Sequence, residues 1–553
     1  MPPYQRFFVG PDSTLSNHRH MIPIVFSFLI SLVAAATKQF TMDLSYATVS
    51  PDGVPVQMMT VNGQYDYTIT VDTGDHVSII VNNNLNEETS MHWHGLDMRG
   101  VPWMDGAGMV TQCPIPPGGS FTYEFNVGDQ TGTYWYHAHS HFQETNGIRG
   151  PFIIRDPKEP FRSQYDQEFI MTLADHFHVD AKIIFAHYDN PAPSSGLING
   201  LGRVNCDAAK ESFCVVDNPL TVFTVEKGKK YRFRVINTSA QAGYRVSIDG
   251  HEMTIVEADG YYTNPTVVDS FDITPGQRYS FLIEAKATIQ NYWIRAIMED
   301  MYTPAGTTIT NGLNLEANAI LRYNGAPTTA TTSTISPAPT PKSVLDVYTL
   351  GELNGMTPAT KPTKVRDMIL HFLVAGNPAN ASETIATFTL DSKEQSFVEK
   401  QYKLPSTPTL KDLLGTGVDG SQGRVNSVVV EDGEWVNILL VNDDNVDHTF
   451  HLHGHAFYVT SAGNMLHKKR RQESTLTTYP RRDSIQVPAC SGGIEGSCFQ
   501  GFVNLLVKFD NPGAWLFHCH IDWHMGTGLS LTFINKNVDK LKDKIPKDFW
   551  KSC

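Results

Sequence analysis

Four His-x-His pairs constrain this chain more than any other feature. They are His92-Trp93-His94, His137-Ala138-His139, His451-Leu452-His453 and His518-Cys519-His520. On an extended strand, side chains at i and i+2 leave the same face, so each pair presents two imidazoles together. Neutral imidazole is a common ligand for zinc, copper, iron and nickel. Eight imidazoles are too many for one tetrahedral zinc, but they suit two or three clustered ions. Two pairs lie toward the N-terminal end and two toward the C-terminal end. The fold therefore has to bring remote strands face to face.

Parity separates a second group. Cys519 lies between two histidines of one face, so its sulfur points the other way. His448, three residues before His451, is also out of phase with its neighbours. With His524 close by, they make a His₂Cys set, the ligand set of a blue-copper electron-transfer site. Cys519 would bind as thiolate, joined through adjacent residues to His518 and His520. At about 3.3 Å per residue plus side-chain reach, the two sites should lie on the order of 10 Å apart. A site that takes one electron at a time would then feed a site that collects several. His141, His176, His178, His251 and His455 read as loop, core or ligand-supporting residues instead.

Elsewhere, short β-branched and aromatic runs alternate with turn residues. Examples are His76–Val81, Ser120–Asn126, Lys230–Ile236, Tyr279–Ile283, Trp435–Val441 and Phe502–Phe509. Such spacing predicts an all-β chain of antiparallel sandwiches. The 42 Gly and 32 Pro agree, and argue against a coiled coil or a disordered chain. A Thr/Pro/Ala-rich stretch, residues 326–341, has no apolar period and reads as a linker. A softer boundary falls near Asp156–Arg162. These cuts give blocks 38–158, 159–325 and 342–553, the last ending in a polar tail. The first and last blocks carry the histidine clusters and the middle one carries none. A net charge of −14, from 43 basic and 57 acidic residues, excludes a generic nucleic-acid binder.

Residues 1–36 read as a leader and signal peptide, with Met1 or Met21 as the start. The apolar run Ile22–Ala36 contains Pro23, ends in Ala34-Ala35-Ala36 and is short for a membrane span. The expected product is an extracellular, monomeric chain without a membrane span. Cysteine spacing agrees with an oxidising compartment. Cys206 with Cys214, and Cys490 with Cys498, could each close a local loop. Cys113 and Cys553 are left for a long-range staple, and Cys519 is the odd one out. Asn237-Thr238-Ser239 and Asn380-Ala381-Ser382 are glycosylation sequons.

At its histidine clusters the sequence resembles the multicopper oxidases, and within them the fungal laccases. The motifs are HWHG (His92–Gly95), GTYWYHAH (Gly132–His139), HTFHLHGHAF (His448–Phe457) and HCHIDWHMGTGL (His518–Leu529). VTQCPIPPG, SGLINGLGR, SIDGHEMTIVEADG and NYWIRA extend the likeness from about Gln39 to the C-terminus. The resemblance implies three cupredoxin-like Greek-key sandwiches and four copper ions. Type 1 copper would take His448, Cys519 and His524, and type 2 copper His92 and His451. The type 3 pair would take His94, His137 and His520 on one ion, and His139, His453 and His518 on the other. Leu529 occupies the axial position of type 1 copper as a non-ligand, which favours Cu(I) and raises the potential. Met525 reads as packing.

Asp105 resembles the acid credited with proton delivery to dioxygen, and Asp522 the acid beside the electron path. The family's HSH reads His137-Ala138-His139 here, and its HPFH reads His448-Thr449-Phe450-His451; neither change touches a ligand. The acid that binds phenols in many mushroom laccases falls near Pro219, with Asp217 close by. The activity implied is one-electron oxidation of phenols or aromatic amines coupled to reduction of O₂ to water. Fe(II) oxidation is the first alternative. Asp443, Asp444 and Asp447 precede His448, and Asp444 falls where iron-oxidising relatives carry an acid. The companion acid aligns near Asn190, beside Asp189. A copper-storage protein without turnover is the second alternative, but it would need no ordered Cys519 path.

Overall fold

Along Gly501–Phe509, Val503, Leu505, Val507 and Phe509 are buried and alternate with more exposed neighbours. That period of two fixes one inward face, and each fully buried aliphatic side chain contributes roughly 1.5–3 kcal/mol. All six runs expected to be extended lie on strands: His76–Asn83, Ser120–Asn126, Lys230–Asn237, Arg278–Glu284, Glu434–Asn442 and Gly501–Phe509. The computed structural model describes residues 37–553 except 188–191, 210, 300–315, 329–338, 351–352, 357–361, 378–379, 394, 419–425, 465–478 and 492–497. The leader 1–36, Asp189, Asn190 and most of the 326–341 linker lie outside the described residues.

Among the described residues the strands form six sheets, two in each third of the chain. The first pair has four strands in each sheet, and one of these ends Arg149–Arg155, Gly132–Ala138, Met91–His94. The middle pair has seven and six strands, and the last pair seven and five. The five-stranded sheet runs Ser427–Val430, Ser530–Asn535, Ala514–Cys519, His448–Leu452, Ser484–Val487. Antiparallel register does the decisive work. His92 lies opposite His137, and His451 lies opposite His518. Directly opposed residues share a face, so each sheet merges two His-x-His pairs into one patch. Phe450 lies opposite Cys519, on the other face.

Two readings of organisation change. Val344–Leu345 pairs in parallel with Ser270–Ile273, so the boundary read at 342 falls too early. The last third's own sheets begin at Arg366–Asn377. The C-terminal tail is more than a polar end. Val538, Leu541 and Ile545 are buried in the core of the first third, with Phe549 and Trp550 packed against it. Cys113–Cys553 fastens that tail, and Cys206–Cys214 and Cys490–Cys498 close their local loops. Cys519 stays free and buried.

One sequon is overturned. The Asn237 side chain is fully buried, and its amide donates to the carbonyls of Ala242 and Ile273. A glycan has no access there in the folded chain. Asn380 begins the strand Asn380–Asp391. Among the described residues no helix is long and apolar enough to cross a membrane.

Candidate metal centre

Three ligand atoms meet behind the strand Ala514–Cys519. Cys519 Sγ lies 3.5 Å from His448 Nδ1 and 3.7 Å from His524 Nδ1, and the two nitrogens are 3.0 Å apart. All three residues are buried. His448 is supplied by the neighbouring strand, and His524 by the short helix Asp522–Gly526. Burial pushes the Cys519 thiol well above its usual range, so a bound cation has to stabilise the thiolate. Leu529 is fully buried, and its carbonyl accepts from the Cys519 amide at 3.0 Å. Met525 is half-buried.

The eight paired histidines converge on the opposite side. His92 Nε2 faces His451 Nε2 at 3.4 Å, and His453 Nε2 faces His518 Nε2 at 3.1 Å. His520 Nε2 faces His94 Nδ1 at 3.3 Å. One nitrogen from each of His139, His453 and His518 falls within a single 4.8 Å cluster, and the same holds for His92, His94 and His137. Burial and neighbouring imidazoles hold His94, His137, His139, His453, His518 and His520 well below the ordinary imidazole range. Neutral rings with free lone pairs are what a metal site requires.

The outward nitrogens are tied down. His92 Nδ1 donates to the Asp105 carbonyl at 2.8 Å, and His453 Nδ1 to Asp105 Oδ2 at 2.8 Å. His451 Nδ1 donates to the Asp483 carbonyl at 2.9 Å, and His518 Nδ1 to the Cys519 carbonyl at 2.9 Å. His94 Nε2 donates to Asp483 Oδ1 at 3.1 Å, and His137 Nδ1 to the Ala138 carbonyl at 3.1 Å, with Glu144 Oε2 2.6 Å from the same nitrogen. These partners fix each tautomer and ring orientation. The inward Nε2 atoms of His137 and His139 are buried without any protein partner. Soft thiolate with imidazole on one side, and imidazoles alone on the other, fit copper.

Asp105 thus bridges two imidazoles. Gly106 makes the approach possible: at φ +86°, a Cβ there would sit 1.7 Å from the Met91 carbonyl oxygen. Asp522 accepts from Thr145 Oγ1, and burial reinforced by Glu144 holds its carboxyl well above the usual range. Of the three acids before His448, Asp444 touches it, with Oδ2 accepting from His448 Nε2 at 3.1 Å. Asp443 and Asp447 bond instead to His371 and Gln486. His141 is exposed beside Glu88, His251 bonds Tyr323, and His455 bonds the His453 carbonyl.

Sequence reasoning missed three supporting residues. Asp483 holds His94 and is itself gripped by Arg278 at 2.6 Å through both carboxylate oxygens. Burial alone would raise its carboxyl, but the Arg278 guanidinium outweighs it and leaves Asp483 well below the usual range. Glu144, five residues after His139, is the third. None of them stands in a spacing that marks a ligand. Asp217 is exposed and pairs with Arg203, whereas Gln241 accepts from Trp523 Nε1 on the helix that carries His524.

Three stretches match sequence profiles described as multicopper oxidase: residues 43–159, 167–326 and 395–539. Laccase-2 of Trametes villosa is 34% identical, over 96% of this chain and 97% of its own. Laccase-4 of Thanatephorus cucumeris is 35% identical, over 90% of each chain. Among solved structures, Fet3p, described as a multicopper oxidase that functions in iron import, superposes with a TM-score of 0.76 at 27% identity, over 94% of each chain. The laccase of Botrytis aclada superposes with a TM-score of 0.75 at 28% identity, over 94% of this chain and 90% of its own.

Proposed function

The chain belongs to the multicopper oxidase family, and from that premise we propose that it works as a secreted laccase-type oxidase. It is a copper-dependent oxidoreductase that oxidises phenols with O₂ as acceptor. The observation that carries this reading is the His448/Cys519/His524 cluster set back to back with eight converging imidazoles on one strand pair. We assign His448, Cys519 and His524 to one type 1 ion, and His92 and His451 to a type 2 ion. His94, His137 and His520, and His139, His453 and His518, go to two type 3 ions. The nitrogen-to-nitrogen distances support these groupings. When bound, copper supplies the one-electron steps and the reduction of O₂ to water.

The chain's own residues do the rest. Cys519 joins the two ligand sets covalently through His518 and His520, and the His518 Nδ1 hydrogen bond to the Cys519 carbonyl provides a second link. Asp105 holds His92 and His453 in place and carries the carboxylate best placed to move protons there. Asp522 braces the same wall through Thr145. Leu529 keeps an apolar side chain beside the thiolate site. Three sandwich domains, a monomeric state and export behind residues 1–36 complete the proposal, and the disulfides and laccase relatives support an extracellular setting.

Steady-state kinetics on phenols, an aromatic diamine, ascorbate and Fe(II) test the substrate class. Phenols and the diamine should give the highest kcat/KM, and preference for Fe(II) would overturn the reading. Asp444 on His448 favours Fe(II) oxidation as the second reading. Asp444→Ala should leave phenol turnover largely intact. A selective loss of Fe(II) turnover would support the second reading instead.

A further inference from the structure

A further pair of histidines with i, i+2 spacing lies in the middle third, which supplies none of the proposed copper ligands. His176 ends the strand Gln167–His176, and His178 follows two residues on. Phe177, between them, turns onto Trp523 with ring centres 5.8 Å apart. The two imidazoles share the other side, 5.5 Å between centres. Facing them is Asp52, fully buried in the loop after the strand Thr37–Val49. Its Oδ2 accepts from His178 Nε2 at 2.8 Å and from Ser195 Oγ at 2.6 Å. One ligand atom from each of Asp52, His176 and His178 lies within 4.8 Å of the other two.

Two observations distinguish this cluster from a buried ion pair. His176 is 2% exposed, and its Nε2 is buried with no protein partner. Leaving such a group unsatisfied carries a desolvation penalty, which a ligand would remove. Second, His178 is oriented from behind, with Nδ1 3.5 Å from Glu211 Oε1 in the loop closed by Cys206–Cys214. A carboxylate on the far nitrogen of a ligating imidazole is how metal sites fix tautomer and orientation.

We propose that Asp52, His176 and His178 bind one zinc(II) ion, separate from the redox centre, with Glu211 as the residue that positions His178. Two imidazoles and a carboxylate are a ligand set that zinc accepts, with water completing four-coordination. Burial lowers His176 to about 4, so that ring is neutral near pH 7 and needs to shed no proton. The ion would join the first third to the middle third. The Asp52 loop is already laced there by Gly202 N–H to the Pro51 carbonyl and Val215 N–H to the Gly53 carbonyl, at 3.0 Å each. Zinc would lock that seam.

The test uses copper-loaded full-length protein dialysed against Zn(II), with metals counted and the zinc-edge X-ray absorption recorded. Wild type should take up one zinc beyond its copper, with two imidazoles and oxygen in the first coordination shell. Glu211 is partly exposed, and the Glu211→Gln variant should bind zinc about 10–100-fold more weakly. His176→Phe should bind none, with its blue absorption unchanged. No uptake by wild type would overturn the proposal, as would equal uptake by His176→Phe or a shell without two imidazoles. If His176→Phe does not fold, the wild-type spectrum and the Glu211→Gln affinity decide.

Discussion

Asp52 shows how much one buried carboxylate contributes. Burial, the largest single effect, would raise its pKa, but the hydrogen bonds from His178 and Ser195 together with the charges of His176 and His178 outweigh it and lower the value to about 2 from 3.8. The stabilisation is therefore complete above about pH 4 and is lost as pH falls toward 2, about 2 kcal/mol in all. His178 runs the other way: Asp52 raises its pKa despite burial, so its share is present at low pH and fades as pH rises through the raised value. His176, Ser195 and Glu211 are the other polar groups facing the pair. Asp52→Asn should flatten the acid limb of stability measured by denaturant unfolding in chelator. An unchanged acid limb would assign it to other carboxylates. At this scale the ligand-type histidines were legible because an i, i+2 spacing has a physical meaning on a strand. Asp483 and Glu144 were not, because a lone acid becomes a ligand's partner only through folding. His176 and His178 carried the spacing, but their partner Asp52 is remote in sequence.

Register is the decisive property of the strands. The pairing of His92 with His137, and of His451 with His518, turns sequence parity into two histidine patches. A slip of one residue would send Cys519 to the imidazole side and empty both sites. Alternation in Gly501–Phe509 and its neighbours made the strands readable, and the six expected runs are all extended. Sheet membership was harder to read. Val344–Leu345 is too short to show its partner, and only pairing with Ser270–Ile273 reveals it. The middle third also reaches the redox centre without a ligand. Gly276 has φ +80°, and a Cβ there would lie 2.9 Å from His520 Cδ2 and 3.0 Å from His94 Cε1. Gly276→Ala should displace both rings and lower kcat on the order of 10²-fold. Its blue absorption should stay near wild type, because the Cys519 side is not crowded. Full activity in that variant would mean the rings tolerate the shift.

Across the whole molecule, chain ends and thirds are stitched together. Arg278 and Arg482 carry the link between middle and last thirds, each gripping a buried aspartate. The tail from Val538 onward packs into the core of the first third and is fastened by Cys113–Cys553, which closes a 440-residue separation. Cys113→Ser should destabilise by about 2–4 kcal/mol and shorten the half-life at elevated temperature, with turnover at 25 °C retained. A variant as heat-resistant as wild type would show that tail packing alone suffices. The most direct test of the laccase-type assignment is dioxygen consumption during diphenol oxidation by the blue holoprotein, with Cys519→Ser alongside. Four substrate electrons should be removed per O₂, with water and no hydrogen peroxide as product, and the variant should lose both the blue absorption and turnover. Hydrogen peroxide as the stoichiometric product, or a Cys519→Ser protein that still oxidises the diphenol, would contradict the account.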